Sequence, residues 1–191
     1  MTSWHHPPTL VASLALLLTA AAAEPAHALL GVDARAGAAL QATGGQGPAL
    51  NAQANVGMFG WSARGHYWQT LTAATQTRWM TAVVCKNVSP IPMIDVSPGL
   101  GLAGLGQADT TFGPVGLVHA SFSPFLVPIS VEATAGASWL GGTRLVLPYS
   151  LGAKVSLFPF TGFTLRYRGF EGNHALLQGA NGPELGVEIG I

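Results

Sequence analysis

Charge is scarce in this chain. Asp, Glu, Lys and Arg make up 8% of its 191 residues, whereas an ordinary soluble domain carries about 25%. Too few charges are present to cover a water-facing surface. Also missing is any apolar run of about 20 residues, the length a membrane-spanning helix requires. Cys85 is the single cysteine, which excludes an intrachain disulfide framework and a multi-cysteine metal site. The formal net charge is zero and no basic run is present, so nothing points to nucleic acid. No phosphate-loop pattern occurs either; Gly99-Leu100-Gly101 and Gly141-Gly142 lack the following Lys-Ser/Thr.

Apolar residues account for 49% of the chain, the mean hydropathy is +0.39, and the 25 glycines interrupt the apolar residues throughout. A chain that is apolar, poor in charge and without spanning helices fits a transmembrane β-barrel. Such a barrel alternates lipid-facing and lumen-facing residues and closes on itself, so no backbone group is left unpaired in hydrocarbon.

The front of the chain reads as an export signal. Residues 10–23, LVASLALLLTAAAA, form an apolar segment of signal length, and Ala26-His27-Ala28 supplies an A-x-A cleavage site. Cleavage there makes residues 1–28 the signal peptide and Leu29 the first residue of a barrel domain over 29–191. Ala21-Ala22-Ala23 is a competing site that would leave Glu24 first. His5 and His6 would leave with the signal and take no role.

Beyond Leu29, period-2 alternation recurs, which marks strands. Val32, Ala34, Ala36 and Ala38 oppose Asp33, Arg35 and Gly37. Ile94, Val96, Leu100 and Leu102 oppose Asp95, Ser97, Gly99 and Gly101. Val131, Ala133 and Ala135 oppose Glu132, Thr134 and Gly136. Leu151 and Val155 oppose Lys154 and Ser156, Phe163 and Leu165 oppose Arg166 and Arg168, and Leu185, Val187 and Ile189 oppose Gly186, Glu188 and Gly190. The spacing predicts strands near 30–39, 51–59, 63–72, 77–86, 91–104, 113–122, 126–138, 145–157, 161–170 and 183–191, with eight as the alternative count to ten. Tight turns at Phe59-Gly60-Trp61, Ser89-Pro90, Ser123-Pro124 and Phe158-Pro159 are expected to alternate with longer loops at 40–50, 105–112, 139–144 and 171–182. Pro98, Pro128 and Pro148 fall inside predicted strands, where a missing N–H calls for a bulge or a shortened ladder.

With the signal, the alternation and the ending ELGVEIGI, the whole mature region resembles the small bacterial outer-membrane β-barrel proteins of eight to ten strands. That resemblance implies an all-β, antiparallel up-and-down transmembrane barrel in the bacterial outer membrane. It implies outer-membrane lipids and the barrel-assembly machinery as partners, and a structural or surface-interaction role carried by loops. Members usually end on an aromatic residue, whereas this chain ends on Ile191.

Every charge in the alternating segments lies in a Gly/Ser/Thr row. Asp33, Arg35, Asp95, Glu132, Lys154, Arg166, Arg168 and Glu188 are therefore expected to face the lumen and pair with one another, since buried charges need partners. Barrels of this size are filled by their own side chains, so a plugged polar interior follows. Trp61, Phe122, Phe125, Phe158, Phe160 and Trp139 stand near strand ends, as interfacial aromatics do. Cys85 continues the row Trp79, Thr81, Val83 and is expected to face lipid as a small hydrophobe. His119 and Ser121 on one strand, with Glu132 on the next, resemble the lipid A deacylases of the outer membrane. The resemblance implies a serine nucleophile, a histidine base and an orienting glutamate. Phe122 stands where that family has Asn, and the tight turn follows at once, so no catalytic role is assigned. A soluble periplasmic lipid-binding barrel, its apolar rows turned inward, is the other rival. No cofactor or metal is expected.

Overall fold

In the computed structural model, residues 32–72, 76–124, 127–141, 144–158 and 160–190 are described. The export segment at 1–28 and the cleavage sites lie outside these residues. Eleven strands follow in chain order: β1 Val32–Thr43, β2 Gly47–Met58, β3 Trp61–Thr70, β4 Arg78–Lys86, β5 Val88–Ile91, β6 Ile94–Gly106, β7 Thr110–Phe122, β8 Ile129–Leu140, β9 Arg144–Phe158, β10 Thr161–Gly172 and β11 Gly182–Gly190. Each long strand pairs antiparallel with its sequence neighbours, β1 pairs with β11, and β4 pairs directly with β6. The result is a closed ten-stranded barrel. The short β5 hangs on the rim of β6 beside the β4–β6 seam and belongs to no closed ladder. Closure leaves none of the ten long strands as a sheet edge, which suits a surface with too few charges to protect one.

Side chains sort as the pleat requires. Leu100, Leu102, Val118, Val131, Leu151, Leu165 and Leu185 stand outward and exposed, while Ser97, Thr164, Arg166, Glu184 and Glu188 point inward and are buried. Ten residue steps separate the outward Phe112 from Phe122 on β7. At about 3.3 Å per residue and a strand tilt of about 40°, these rings stand about 25 Å apart along the barrel axis, the height of a lipid-facing apolar band.

The loops differ from the sequence reading. Val32 and Gly190 lie at one end of the barrel (the terminal end) with the 59–60, 87–93, 123–128 and 159–160 connections. The opposite end carries the 44–46, 71–77, 107–109, 141–143 and 173–181 connections. The long loops expected over 40–50, 105–112 and 139–144 are mostly strand. Gly141, at φ +57°, and Gly47, at φ +73°, take left-handed backbone that lets strands turn within about three residues. Thr43 tightens the first of these turns by accepting the Gln46 N–H on its hydroxyl at 3.1 Å.

Proline disturbs the ladders little. Pro98 pairs opposite Val118 without a register shift, one residue past the end of the β4–β6 ladder. Pro148 coincides with a gap in the β8–β9 ladder between Ala135 and Ser138, and the register is the same on both sides. Pro128 precedes β8, so only there is the strand shortened.

Candidate functional site in the barrel interior

The interior is layered along the axis. At mid-barrel, Arg166 is the hub. Its Nη2 donates to Glu132 at 2.8 Å and lies 3.5 Å from Glu188, and its Nη1 donates to Gln53 at 3.1 Å and lies 3.6 Å from Glu184. Arg168 Nε donates to the second Glu184 oxygen at 2.7 Å, and Lys154 forms an ion pair with Glu188. Glycines make room for these long side chains. A Cβ at Gly152 would collide with the Arg166 stem, and one at Gly162 would stand 2.7 Å from Lys154 Cε. The sparse Gly/Ser row of the sequence is thus the space in which the charged side chains lie.

Toward the end away from the termini the interior turns apolar. Trp68 and Trp79 each meet Phe170 edge-on with ring centroids 5.4 Å apart. Leu105, Val115, Leu140 and Val146 pack into the same cluster. The 173–181 loop adds Leu177, on a single turn of 3-10 helix, and Ala180, both buried. Gln41 fastens this layer. It accepts the Trp68 indole N–H at 2.7 Å, and its amide nitrogen lies within 3.3 Å of the Arg168, Ala180 and Gly182 carbonyls.

The terminal end is open. A basin of about 400 Å³ is lined by Asp33, Arg35, Ser130, Lys154, Ser156 and Glu188 among others. Behind it lies a smaller cavity of about 170 Å³, lined by Arg64, His66, Thr81, His119, Asn55 and Thr134 among others; Arg35 and Glu188 border both.

Of the charged residues read from the sequence, Glu132, Lys154, Arg166, Arg168 and Glu188 come together. Asp33 and Arg35 pair with each other at 3.0 Å in the open mouth, about half exposed. Asp95 stands apart: it is exposed and accepts the Ser89 hydroxyl at the rim. Its inward position lies too close to the end of β6 to reach the mid-barrel cluster.

The hydrolase-like residues are not joined into a triad. Ser121 and Glu132 are direct cross-strand partners, but the Glu132 carboxylate is taken by Arg166. His119 Nδ1 lies 3.0 Å from the Thr134 hydroxyl, and among the described contacts no hydrogen bond joins His119 to Ser121. A base that orients on threonine and a glutamate held by arginine lack the relay that nucleophile activation needs.

Comparison with known proteins adds little. No protein family matches the chain, and no curated protein does. Among solved structures it is similar to a bacterial polysaccharide outer membrane secretin, at 18% identity and TM-score 0.40 over 83% of this chain and 63% of the other. It is similar to the translocator domain of autotransporter NalP from Neisseria meningitidis, at 15% identity and TM-score 0.39 over 94% and 95% of the two chains. A third similarity is to neisserial surface protein A, at 12% identity and TM-score 0.31 over 83% and 96%. The overlaps are loose, and the barrel rests on its own strand pairings.

Two features were not read from the sequence, and a third was read facing the wrong way. Glu184 is almost fully buried and bridges Arg166 and Arg168; the signal was available, since it shares a row with Gly186 and Glu188. Cys85 is a correction. It is buried on the inward face, because Trp79 on the same row packs into the interior cluster and the whole row follows it. Arg64 and His66 also point inward from β3, where the inward Trp68 and the outward Gln69 blur the alternation.

Proposed function

We propose that this protein is a small bacterial outer-membrane β-barrel whose interior does not conduct ions and whose role is structural or surface-interacting. One observation carries the reading: the apolar rows face outward over a band about 25 Å tall, while the ion pairs lie inside. A soluble lipid carrier needs the reverse, with apolar rows inward and charge outward. Hydrocarbon is the solvent that fits the exposed leucines. At the rims, Trp61, Phe59, Phe122 and Phe160 at the terminal end, and Phe112 and Trp139 at the other, are exposed as interfacial anchors are. Lys86 adds to one belt by placing its ammonium 4.9 Å from the Trp61 ring centroid.

On this reading the partners are outer-membrane lipids and the assembly machinery, and the mature chain starts at Leu29. The apolar layer around Trp68, Trp79 and Phe170 supports a sealed end, and among the described residues the 173–181 loop supplies surface for contacts. The experiment is membrane fractionation with carbonate washing, then gel migration with and without boiling, then planar-bilayer recording of the purified protein. Outer-membrane enrichment, a migration shift and no steady conductance are expected. Release by carbonate refutes the membrane reading, and a reproducible large conductance refutes the sealed interior.

A further inference from the structure

The interior charges do not balance. Asp33 pairs with Arg35, and Glu132, Glu184 and Glu188 are shared among Lys154, Arg166 and Arg168. Arg64 has no carboxylate among the described residues. Its only polar contact there is a long one, Nη2 to the Ser97 hydroxyl at 3.4 Å, and its buried Nε has no partner. The neighbouring Asp95, two residues nearer the rim on the same face of β6, is engaged with Ser89. A guanidinium cannot shed its charge, and leaving it unpaired inside a barrel is costly.

Arg64 also borders the 170 Å³ cavity, together with His66, Asn55, Thr81 and His119. A water molecule takes up about 30 Å³ in the liquid, so the space accommodates a small anion with several waters. It shares Arg35 and Glu188 with the basin of the terminal end, and Trp79 of the Trp68–Trp79–Phe170 layer lines it as well. With the far end sealed as proposed above, the cavity is reached by small solutes from the terminal end.

We propose that this pocket binds a small monovalent anion, chloride or a short carboxylate such as formate or acetate, on Arg64. The guanidinium supplies charge and donors in a planar fork that fits two carboxylate oxygens. Glu132 and Glu188 on the far wall, though engaged by Arg166 and Lys154, disfavour anions of higher charge. A sealed far end makes this a bound ion rather than a permeating one. The inference rests on the barrel and its inward row and does not require the membrane placement.

The test is thermal unfolding of the full-length mature protein in zwitterionic detergent at fixed ionic strength. Chloride, formate or acetate replaces the bulky sulfonate anion of HEPES, which the cavity cannot admit. Since a ligand that binds only the folded state stabilises it in proportion to log concentration above its Kd, a rise that continues with log concentration and reaches at least about 2 °C is expected. Comparison of the anions separates a halide site from a carboxylate site. Arg64→Gln should abolish the dependence. Ser97→Asp, which places a carboxylate beside Arg64, should abolish it too and leave a barrel at least as stable in HEPES as the parent is in chloride. That second variant keeps the test sharp if Arg64→Gln fails to fold. A shift that persists in both variants overturns the proposal, and so does a parent protein indifferent to the anion. Loss of membrane association with the anion dependence intact would overturn the proposed location and leave this site standing.

Discussion

Removing Arg166 while keeping its partners should expose how much the interior depends on paired charge. In Arg166→Met, Glu188 retains Lys154 and Glu184 retains Arg168, but Glu132 loses its only ion-pair partner among the described residues. Glu132 is close to buried, with 13% of its side chain accessible, and Arg166 retains 7%. Breaking such a pair from one side costs about 3–5 kcal/mol, most of it the stranded charge. The double variant Arg166→Met with Glu132→Gln removes that charge and should recover about half of the loss. The single Glu132→Gln should cost about 1.5–3 kcal/mol, the range for losing a charged hydrogen bond while Arg166 keeps Glu184 and Glu188. The cycle is therefore strongly non-additive, as contacting residues are. Urea unfolding of the refolded barrel, followed by tryptophan fluorescence, reads all four species. If the double variant is as unstable as the sum of the singles, the Glu132–Arg166 contact is not the one that matters and the interior is better hydrated than these distances imply.

Outward and inward positions should respond oppositely to charge: Leu151→Arg or Leu165→Arg near mid-strand should cost about 2–4 kcal/mol, whereas Ser156→Arg in the open mouth should cost under about 1 kcal/mol in the same titration. Equal tolerance would reverse the facing assignment. In the 173–181 loop, burial and then Arg144 lower the His174 pKa below its ordinary value. Its ring nitrogens lie 3.3 Å from Arg144 Nη1 and 3.4 Å from the Leu176 N–H, both donors, so a neutral ring can accept one and a protonated ring neither. A depressed pKa means the contribution is complete above the ordinary value of about 6.5 and is lost as pH falls through the folded value. Protection factors at Leu176 and Leu177, that is, exchange corrected for the intrinsic pH dependence of amide exchange, should fall on going from pH 7.5 to 5 and become insensitive to pH in His174→Gln; unchanged protection in the parent refutes the coupling. Refolded protein should leave lipid A unchanged by mass spectrometry, and loss of an acyl chain dependent on Ser121 would overturn the reading of His119 and Glu132.

What the sequence determined by itself was the barrel and the direction its rows face. Two-residue alternation is a local property, fixed by the pleat. The shortage of charge decided the facing, because sparse Gly/Ser rows such as 150–156 could not serve as a water-facing surface. The ten strands followed from the same pattern, their ends shifting by a few residues where turns closed more tightly than expected at Gly47 and Gly141. Tertiary structure alone decided how the inward row is divided. Trp79, Val83 and Cys85 read like any lipid-facing row until closure brings Phe170 across the lumen to meet Trp79 and its cross-strand neighbour Trp68, and no local pattern reports on a residue so distant in the chain. Closure likewise decided that Arg166 meets Glu132, Glu184 and Glu188 together, that Glu132 is thereby denied to His119, and that Arg64, on a strand whose neighbours bring no acid, is left without a carboxylate. Each of those outcomes depends on which strands face one another across the barrel, a relation set by strand number and register and absent from any single stretch of sequence.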